Sequence, residues 1–384
     1  MKLKLISVAV MVLLLISAIP ILSIQPVEAY IGFIYIRSDG TIDPSSAPIS
    51  TVDGVTFILT ADINGAIIIQ KDGITLDGQS HILQGTLTET GIEIIGRTNV
   101  VIKNLVIRLF RQGIDLGYSS GCIISKNVLS DNNLRGILVR YSSNNYILNN
   151  IIINTNMDGI WLRESSNYNT ISGNTFENNH NNGIGVSLSS NYNLIYENNI
   201  LANNIGIEWG INPASNNVLY HNNFIGNTIQ TLFHTSASNT WDDNYPSGGN
   251  YWSDYTRVDQ YQGVAQNVKG SDMIGDSPYV IDALNVDHYP LMTPWTPLPN
   301  TISGLKELLM QLASNDQIKT KGALTSLLAK LDNAQKRIEK GDANGAIHHL
   351  QTFMVHVQSL TNKQITPTAQ YLLITSTENV IIHL

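Results

Sequence analysis

The chain repeats itself every 23 to 24 residues through its middle, and that period restricts the fold more than any single residue does. Gly-Ile recurs at Gly91, Gly113, Gly136, Gly159, Gly183 and Gly206, in steps of 22, 23, 23, 24 and 23 residues. A second column places asparagine before short apolar runs, at Asn104, Asn127, Asn150, Asn174, Asn198 and Asn222. A third holds Asn99, Asn145, Asn169, Asn193 and Asn217, with Cys122 in one place. Columns that stay in step describe stacked copies of one unit.

The residues between the columns say what the unit is. A stretch such as Asn167 to Val186, "NYNTISGNTFENNHNNGIGV", has many β-branched residues, few good helix formers and turn residues at intervals. A leucine-rich repeat shares the period, but its leucines and helical turn are missing. The pattern predicts a mainly β protein: a right-handed parallel β-helix with three strands per coil, each coil about 4.8 Å above the last. Ile114 and Leu116 are expected to point inward and stack with their equivalents.

The organisation along the chain follows from changes in period. Residues 1–29 read as an export signal, with Lys2 and Lys4 ahead of an apolar run and a cleavage point after Ala29. An uncleaved run approaches spanning length and would act as an anchor, whereas no later segment could cross a bilayer. Residues 30–295 are assigned to the β-helix, with a looser entry cap to about Gly85 and regular coils from about Thr86 to Gln230. An Asp- and aromatic-rich cap follows over 231–295. The proline-rich "TPWTPLPN" ends in a linker at 296–300. Leucines at Leu305, Leu308, Leu309 and Leu312, then at Leu324, Leu327, Leu328 and Leu331, mark amphipathic helices. Ile347, Leu350, Met354 and Val357 continue the pattern, and Thr366-Pro367 opens a last helix, so 301–384 reads as a bundle of four.

Charge narrows the partners. Only 14% of residues are charged and the net charge is −8, which argues against nucleic acid. A single cysteine, Cys122, rules out an intramolecular disulfide.

The Asn-x-Ile-x-x-Asn and Gly-Ile coils resemble the NosD-type β-helix family and the broader carbohydrate-binding and sugar-hydrolysis (CASH) repeats. "YIRSDGTIDPSSAPI" and "GGNYWSDY…IGDSPYVID…DHYPLM" look like segments of archaeal secreted members. Asp243-Asn244-Tyr245 stands where an Asn-Gly-Tyr-like turn is expected. The C-terminal helices resemble the FIMAH module of secreted microbial proteins. The resemblance implies two different roles. One branch assists copper loading of an exported reductase, while related β-helices bind, cleave or epimerise polysaccharides.

Candidate chemistry sits on the outward face of the Gly-Ile strands. Glu93, Asp115, Leu138, Trp161, Gly185 and Glu208 share one column. In a chain poor in charge, Asp115, Arg135, Arg140, Asp158, Trp161, Arg163 and Glu164 collect in one patch. Arg135, Arg140, Trp161, Arg163 and Glu164 are the expected substrate contacts, suited to an anionic sugar chain. The alternative is a ladder of local ion pairs. Glu93 and Asp115, one coil apart, have the spacing of a retaining glycosidase pair, with Asp158 as a further acidic candidate. A lyase or epimerase needs a base beside the sugar carboxylate and a cation to neutralise it; the arginines meet the second need, and no residue stands out for the first.

Two metals have candidate donors in the chain. Asp242, Asp243, Asp254, Asp272 and Asp276 in the cap offer hard oxygen ligands for calcium, without an EF-hand or nonapeptide spacing; turn capping is the competing role. Copper asks for clustered His, Cys or Met, and only His348, His349 and His356, with Met354, come close together. The sequence therefore leaves three functions open: an exported protein that binds or processes polysaccharide, a copper-maturation accessory, or a spacer that holds the bundle away from the surface. As an enzyme it would be a polysaccharide lyase, epimerase or glycoside hydrolase. A cell-envelope partner is expected for the bundle.

Overall fold

The computed structural model describes residues 30–384. The export signal expected over residues 1–29 lies outside the described residues. Among the described residues no helix is long and apolar enough to cross a membrane.

The chain winds into a parallel β-solenoid of about 8 turns, followed by four helices. One coil contains the strands Val106–Arg108, Gln112–Gly117 and Ile123–Ser125. Each pairs in parallel with its equivalent above, Ile114 opposite Ile137 and Ile124 opposite Ile147. The inward residues are fully buried, including Ile114, Leu116, Ile137, Val139, Ile160 and Leu162. They pile into one continuous aliphatic core, so each coil covers the apolar interior of the next.

The glycine column has a steric cause. A Cβ on Gly91, Gly113, Gly136, Gly159, Gly183 or Gly206 would lie 2.5–2.9 Å from the backbone carbonyl oxygen one coil above. No side chain fits there at the observed coil spacing, and glycine is the residue that lets the coils close.

The asparagine columns are hydrogen-bonded ladders. Asn150 donates its backbone N–H and its side-chain amide to Asn174 Oδ1, at 2.9 and 3.0 Å. Asn174 does the same to Asn198. In the ladder from Asn127 to Asn222 each amide also donates to a carbonyl on the coil below, as Asn174 does to Ile147. Two placements need correction. Register puts Val100 and Leu105, not Asn99 and Asn104, in the ladder positions of their coil. Asn99 and Asn104 sit one residue earlier with φ of 56° and 57°, the left-handed turn conformation that asparagine tolerates. A further ladder, Asn179 to Asn203 to Asn227, runs beside the others and has no counterpart in the columns read from sequence.

The segment after residue 230 ends these ladders. Asn250 accepts from Asn222, and its own N–H reaches Asp287 Oδ2 at 2.7 Å. Asn239 accepts from Asn217 and donates to Asn285. Trp252 stacks between Phe224 and Tyr279, each 4.3 Å away, and closes the apolar core.

The helices are α1 (Ile302–Ser314), α2 (Lys321–Ile338), α3 (Ala343–Leu360) and α4 (Pro367–Ile382). Thr301, Thr320, Asp342 and Thr366 cap them, each accepting from a backbone N–H in the first turn. On α3 the buried face is Ala346, Leu350, Phe353, Val357 and Leu360, which turns the stripe slightly from the expected Ile347 and Met354. The bundle rests on the end of the solenoid. Ser247 Oγ donates to Tyr371 Oη at 3.1 Å, and Trp295 in the proline-rich run stacks on His221.

Candidate functional site

Parallel register aligns the outward column as Glu93, Asp115, Leu138, Trp161, Gly185 and Glu208. Two of its carboxylates are paired, Asp115 with Arg140 and Glu208 with His234. Arg140 grips Asp115 through Nε and Nη2, both at 3.1 Å, and hydrogen bonding to Asp115 pushes the Arg140 guanidinium pKa up. Asp115 is 7% exposed under this cover. Burial, and then Asp115, push the Glu93 carboxyl up. Arg135 Nε lies 3.2 Å from Asp158, and Arg163 Nη2 lies 2.8 Å from Glu164. Glu93 and Asp115 therefore meet as register partners, with both Asp115 oxygens engaged by the Arg140 guanidinium.

Further up the same face the surface becomes concave. Arg135, Trp161, Arg163, Ser187, Glu208 and His234 line a cleft of about 350 Å³, with Leu188 and Ile211 at its rim. Gly185 makes the cleft possible, since a Cβ there would lie 3.0 Å from the Trp161 ring. The indole lies flat on that strand, donates to Ser187 Oγ at 2.8 Å and has the Arg135 guanidinium 5.0 Å from its centroid. It is a wall of the cleft and not a free-standing platform.

A polar relay backs the cleft. His234 Nε2 lies 2.8 Å from Glu208 Oε1. Asn182 Nδ2 donates to the other Glu208 oxygen and, at 2.9 Å, to Asp158 Oδ1. Asp158 is fully buried, and burial lifts its pKa to about 6 against the opposing pull of Arg135 and Asn181. Burial also lowers the Arg135 pKa. The Oδ1 of Asn182 and the Nε of Arg163 are buried without a hydrogen-bond partner. The column read from sequence contains Glu208 but not its partner His234, since 26 residues separate them and only the coil pitch joins them.

A second feature has no counterpart among the residues singled out from sequence. Tyr118 and Tyr141 stack at 4.6 Å, and Tyr168 and Tyr192 at 5.1 Å, on the turn that borders the cleft. All four rings are about half exposed, from 48 to 57%. Tyr118 and Tyr141 follow Gly117 and Arg140, and Leu188 and Ile211 hold the corresponding places at the cleft rim. The signal was present as tyrosines one coil apart, but the irregular turn lengths obscured it.

The cap aspartates serve turns and contacts. Asp242 accepts from Asn244 N and bonds His288; Asp243 accepts from Ser247; Asp254 accepts from Tyr279. Asp272 accepts from Ile274 N and Gln266, and Asp276 from the backbone of Gln260 and Tyr261. On α3 the rings of His348 and His349 lie 6.2 Å apart, and His356 bonds Ser326 Oγ at 2.9 Å. Cys122 is buried. Among the described residues no three His, Cys, Asp or Glu side chains come together as a metal-holding group.

Stacked three-stranded coils with a lateral cleft and an aromatic edge define a parallel β-helix protein. Residues 50–257 match the family described as periplasmic copper-binding protein (NosD), and residues 302–382 match the FIMAH domain. The first match spans more than half of the chain, which belongs to the NosD family and carries a C-terminal FIMAH module. No curated protein matches it. Solved structures of similar fold include the periplasmic alginate epimerase AlgG, with 18% identity over 50% of this chain and 53% of that one, at a TM-score of 0.36. The Azotobacter vinelandii mannuronan C-5 epimerase AlgE4 A-module has 14% identity over 51% and 58%, at 0.36. An alginate lyase from Paenibacillus sp. str. FPU-7 has 14% over 57% and 97%, at 0.32. The chain spans about half the length of the first of these. At such identities the likeness is one of fold.

Proposed function

We propose that this chain is an extracytoplasmic polysaccharide-binding β-helix protein, with the polymer lying along the coil axis over the tyrosine edge and into the cleft. The observation that carries the reading is the pair of exposed tyrosine stacks on the turn that borders the cleft. Because the rings stack along the coil axis, a polymer on that axis meets their apolar edges and the hydroxyls at their tips. Around them lie Ser120, Ser143, Asn144 and Asn167, which supply neutral hydrogen-bonding groups for sugar hydroxyls. The family's description as periplasmic supports the location. Because Arg135, Arg140 and Arg163 already face carboxylates, attraction along the edge owes little to net charge and should weaken only modestly with salt.

Electrophoresis of the full chain through gels containing neutral and uronate polysaccharides tests the reading. Retardation by at least one polymer, lost in the Tyr118→Ala/Tyr141→Ala double variant, is the expected result. No retardation by any polymer, or retardation unchanged in the variant, contradicts it. The family's description as copper-binding keeps a copper-maturation role as the second reading, which titration of the full chain with copper, followed by unfolding temperature, tests.

A further inference from the structure

We infer that the ribbon of residues 256–271 and the adjoining end of the helical bundle form a face that seats the protein on an anionic phospholipid surface. The inference is independent of the glycan reading, since it uses the cap and the helices and not the tyrosine edge.

The ribbon is built inside out. Its strands, Tyr261–Gln262 and Val268–Lys269, pair antiparallel. The carboxylates are turned inward. Asp272 is fully buried and accepts from Gly263 N–H and Gln266 Nε2. Asp259 accepts from Ser271 Oγ and from the N–H groups of Asp272 and Met273. Asp276 accepts from the N–H groups of Gln260 and Tyr261. Outside stand Val258, Tyr261, Val264 and Val268, from 43 to 71% exposed. A single exposed valine is ordinary, but apolar side chains gathered over inward-bonded carboxylates in one short ribbon mark a contact surface.

Positive charge surrounds them. Arg257 and Lys269 are exposed beside the apolar residues. Tyr261 and Lys269 are cross-strand partners, so the ring and the ammonium share one face of the ribbon. Where the ribbon ends, Ser271 O accepts from Gln317 Nε2 at 3.3 Å, which joins it to the connection between α1 and α2. Lys319 in that connection donates its backbone N–H to Gln364 O at 2.8 Å. Lys319, Lys321 and Lys363 therefore collect at the end of the bundle that the ribbon touches, and all are exposed. None of these lysines, nor Arg257, is ion-paired among the described residues. Asp316 is the exposed carboxylate in their midst. The whole chain carries a net charge of −8, so this end reverses the sign locally.

The two features select the partner together. A soluble anionic polymer would meet the cations and leave the valines in water. An apolar protein groove would bury the valines and strand the ammonium groups. At a phospholipid surface the apolar side chains enter the boundary between headgroups and acyl chains, while Lys and Arg meet the phosphates. Such a contact weakens with salt.

Cys122 is buried and is the only cysteine, so a dye can be placed at one chosen position. The full chain is labelled with a polarity-sensitive dye on the ribbon through Val264→Cys, or on the entry cap through Val52→Cys, where the native valine is fully exposed. Each is mixed with vesicles of phosphatidylcholine alone or with added phosphatidylglycerol. The expected result is a blue shift at position 264 with phosphatidylglycerol, quenched by a lipid-borne quencher, and none at position 52. The second label separates docking by the ribbon from insertion of the N-terminal apolar run. Arg257→Gln, Lys269→Gln and Lys319→Gln are each expected to lower vesicle affinity about fivefold while leaving the unfolding temperature unchanged. No shift at 264, an equal shift at 264 and 52, or affinity indifferent to the glutamine variants overturns the inference. Retardation by an anionic polysaccharide that the same variants abolish, without a dye shift on vesicles, overturns the lipid reading and assigns the cations to a polymer.

Discussion

A Cβ built on Gly136 would stand 2.7 Å from the carbonyl oxygen of Gly159 in the next coil. The same contact recurs up the stack, so Gly136→Ala forces two coils apart and strains the ladder on either side. Thermal or urea unfolding is expected to show a loss of about 1–3 kcal/mol, typical of overpacking. Gly322 in α2 has nothing within 4 Å of its Cβ position, and Gly322→Ala is expected to gain roughly 0.5–1 kcal/mol.

Asn174→Ala removes the acceptor of two groups on Asn150, one of them a backbone N–H. Both lie in the buried ladder, and leaving them unpaired is expected to cost on the order of 1–3 kcal/mol or more. Asn178, four residues on, is exposed with φ of 54°. Asn178→Gly suits that backbone and is expected to change stability by about 0.5 kcal/mol or less. Parallel denaturation of the two variants checks the contrast.

The solenoid was legible because its period is enforced at every coil. Gly113, Gly136 and Gly159 recur where no side chain fits, and Asn150, Asn174 and Asn198 recur where each donates to the oxygen of the next. Irregular coils blurred the reading by one residue at Asn99 and Asn104, since asparagine also suits the left-handed turn beside the ladder. The C-terminal motif was visible as a run of aspartate and aromatics, yet its task, terminating ladders through Asn250, Asn285 and Asp287, depends on contacts 37 to 46 residues apart. The cleft was half legible. Arg135, Trp161 and Arg163 were found by column, whereas His234 lies past the regular coils and joins Glu208 only through the coil pitch.

Burial raises Asp287 to about 7, and Asp158 and Asp272 each to about 6, from an ordinary 3.8. The folded chain keeps these protons where the unfolded chain has released them. Their stabilising effect is therefore full below about 4 and is lost as pH rises through the folded values. Burial lowers His221 from 6.5 to about 4, which acts the other way: the unfolded chain binds that proton first, and stability rises with pH between the two values. Three carboxylates oppose one imidazole, so the unfolding temperature is expected to fall between about pH 4 and 7. Asp287→Asn should flatten the upper part of that slope, as scanning calorimetry across the range will show.

The oxygens of Asp242, Asp272 and Asp276 accept from backbone or side-chain donors within the cap. Calcium or EDTA is therefore expected to leave the unfolding temperature unchanged within about 1 °C, a shift small beside those that a kcal/mol change gives. A rise with calcium that EDTA reverses would show that these carboxylates exchange their partners for the ion.

Hydrogen exchange of the full chain, with and without a polysaccharide that retards it in gels, locates the ligand directly. Protection concentrated in the turns carrying Tyr118, Tyr141, Tyr168 and Tyr192 and in the strand Ile205–Trp209 is the expected outcome. Protection confined to the helices α1 to α4, or no polymer that binds at all, would contradict a glycan-binding lateral edge.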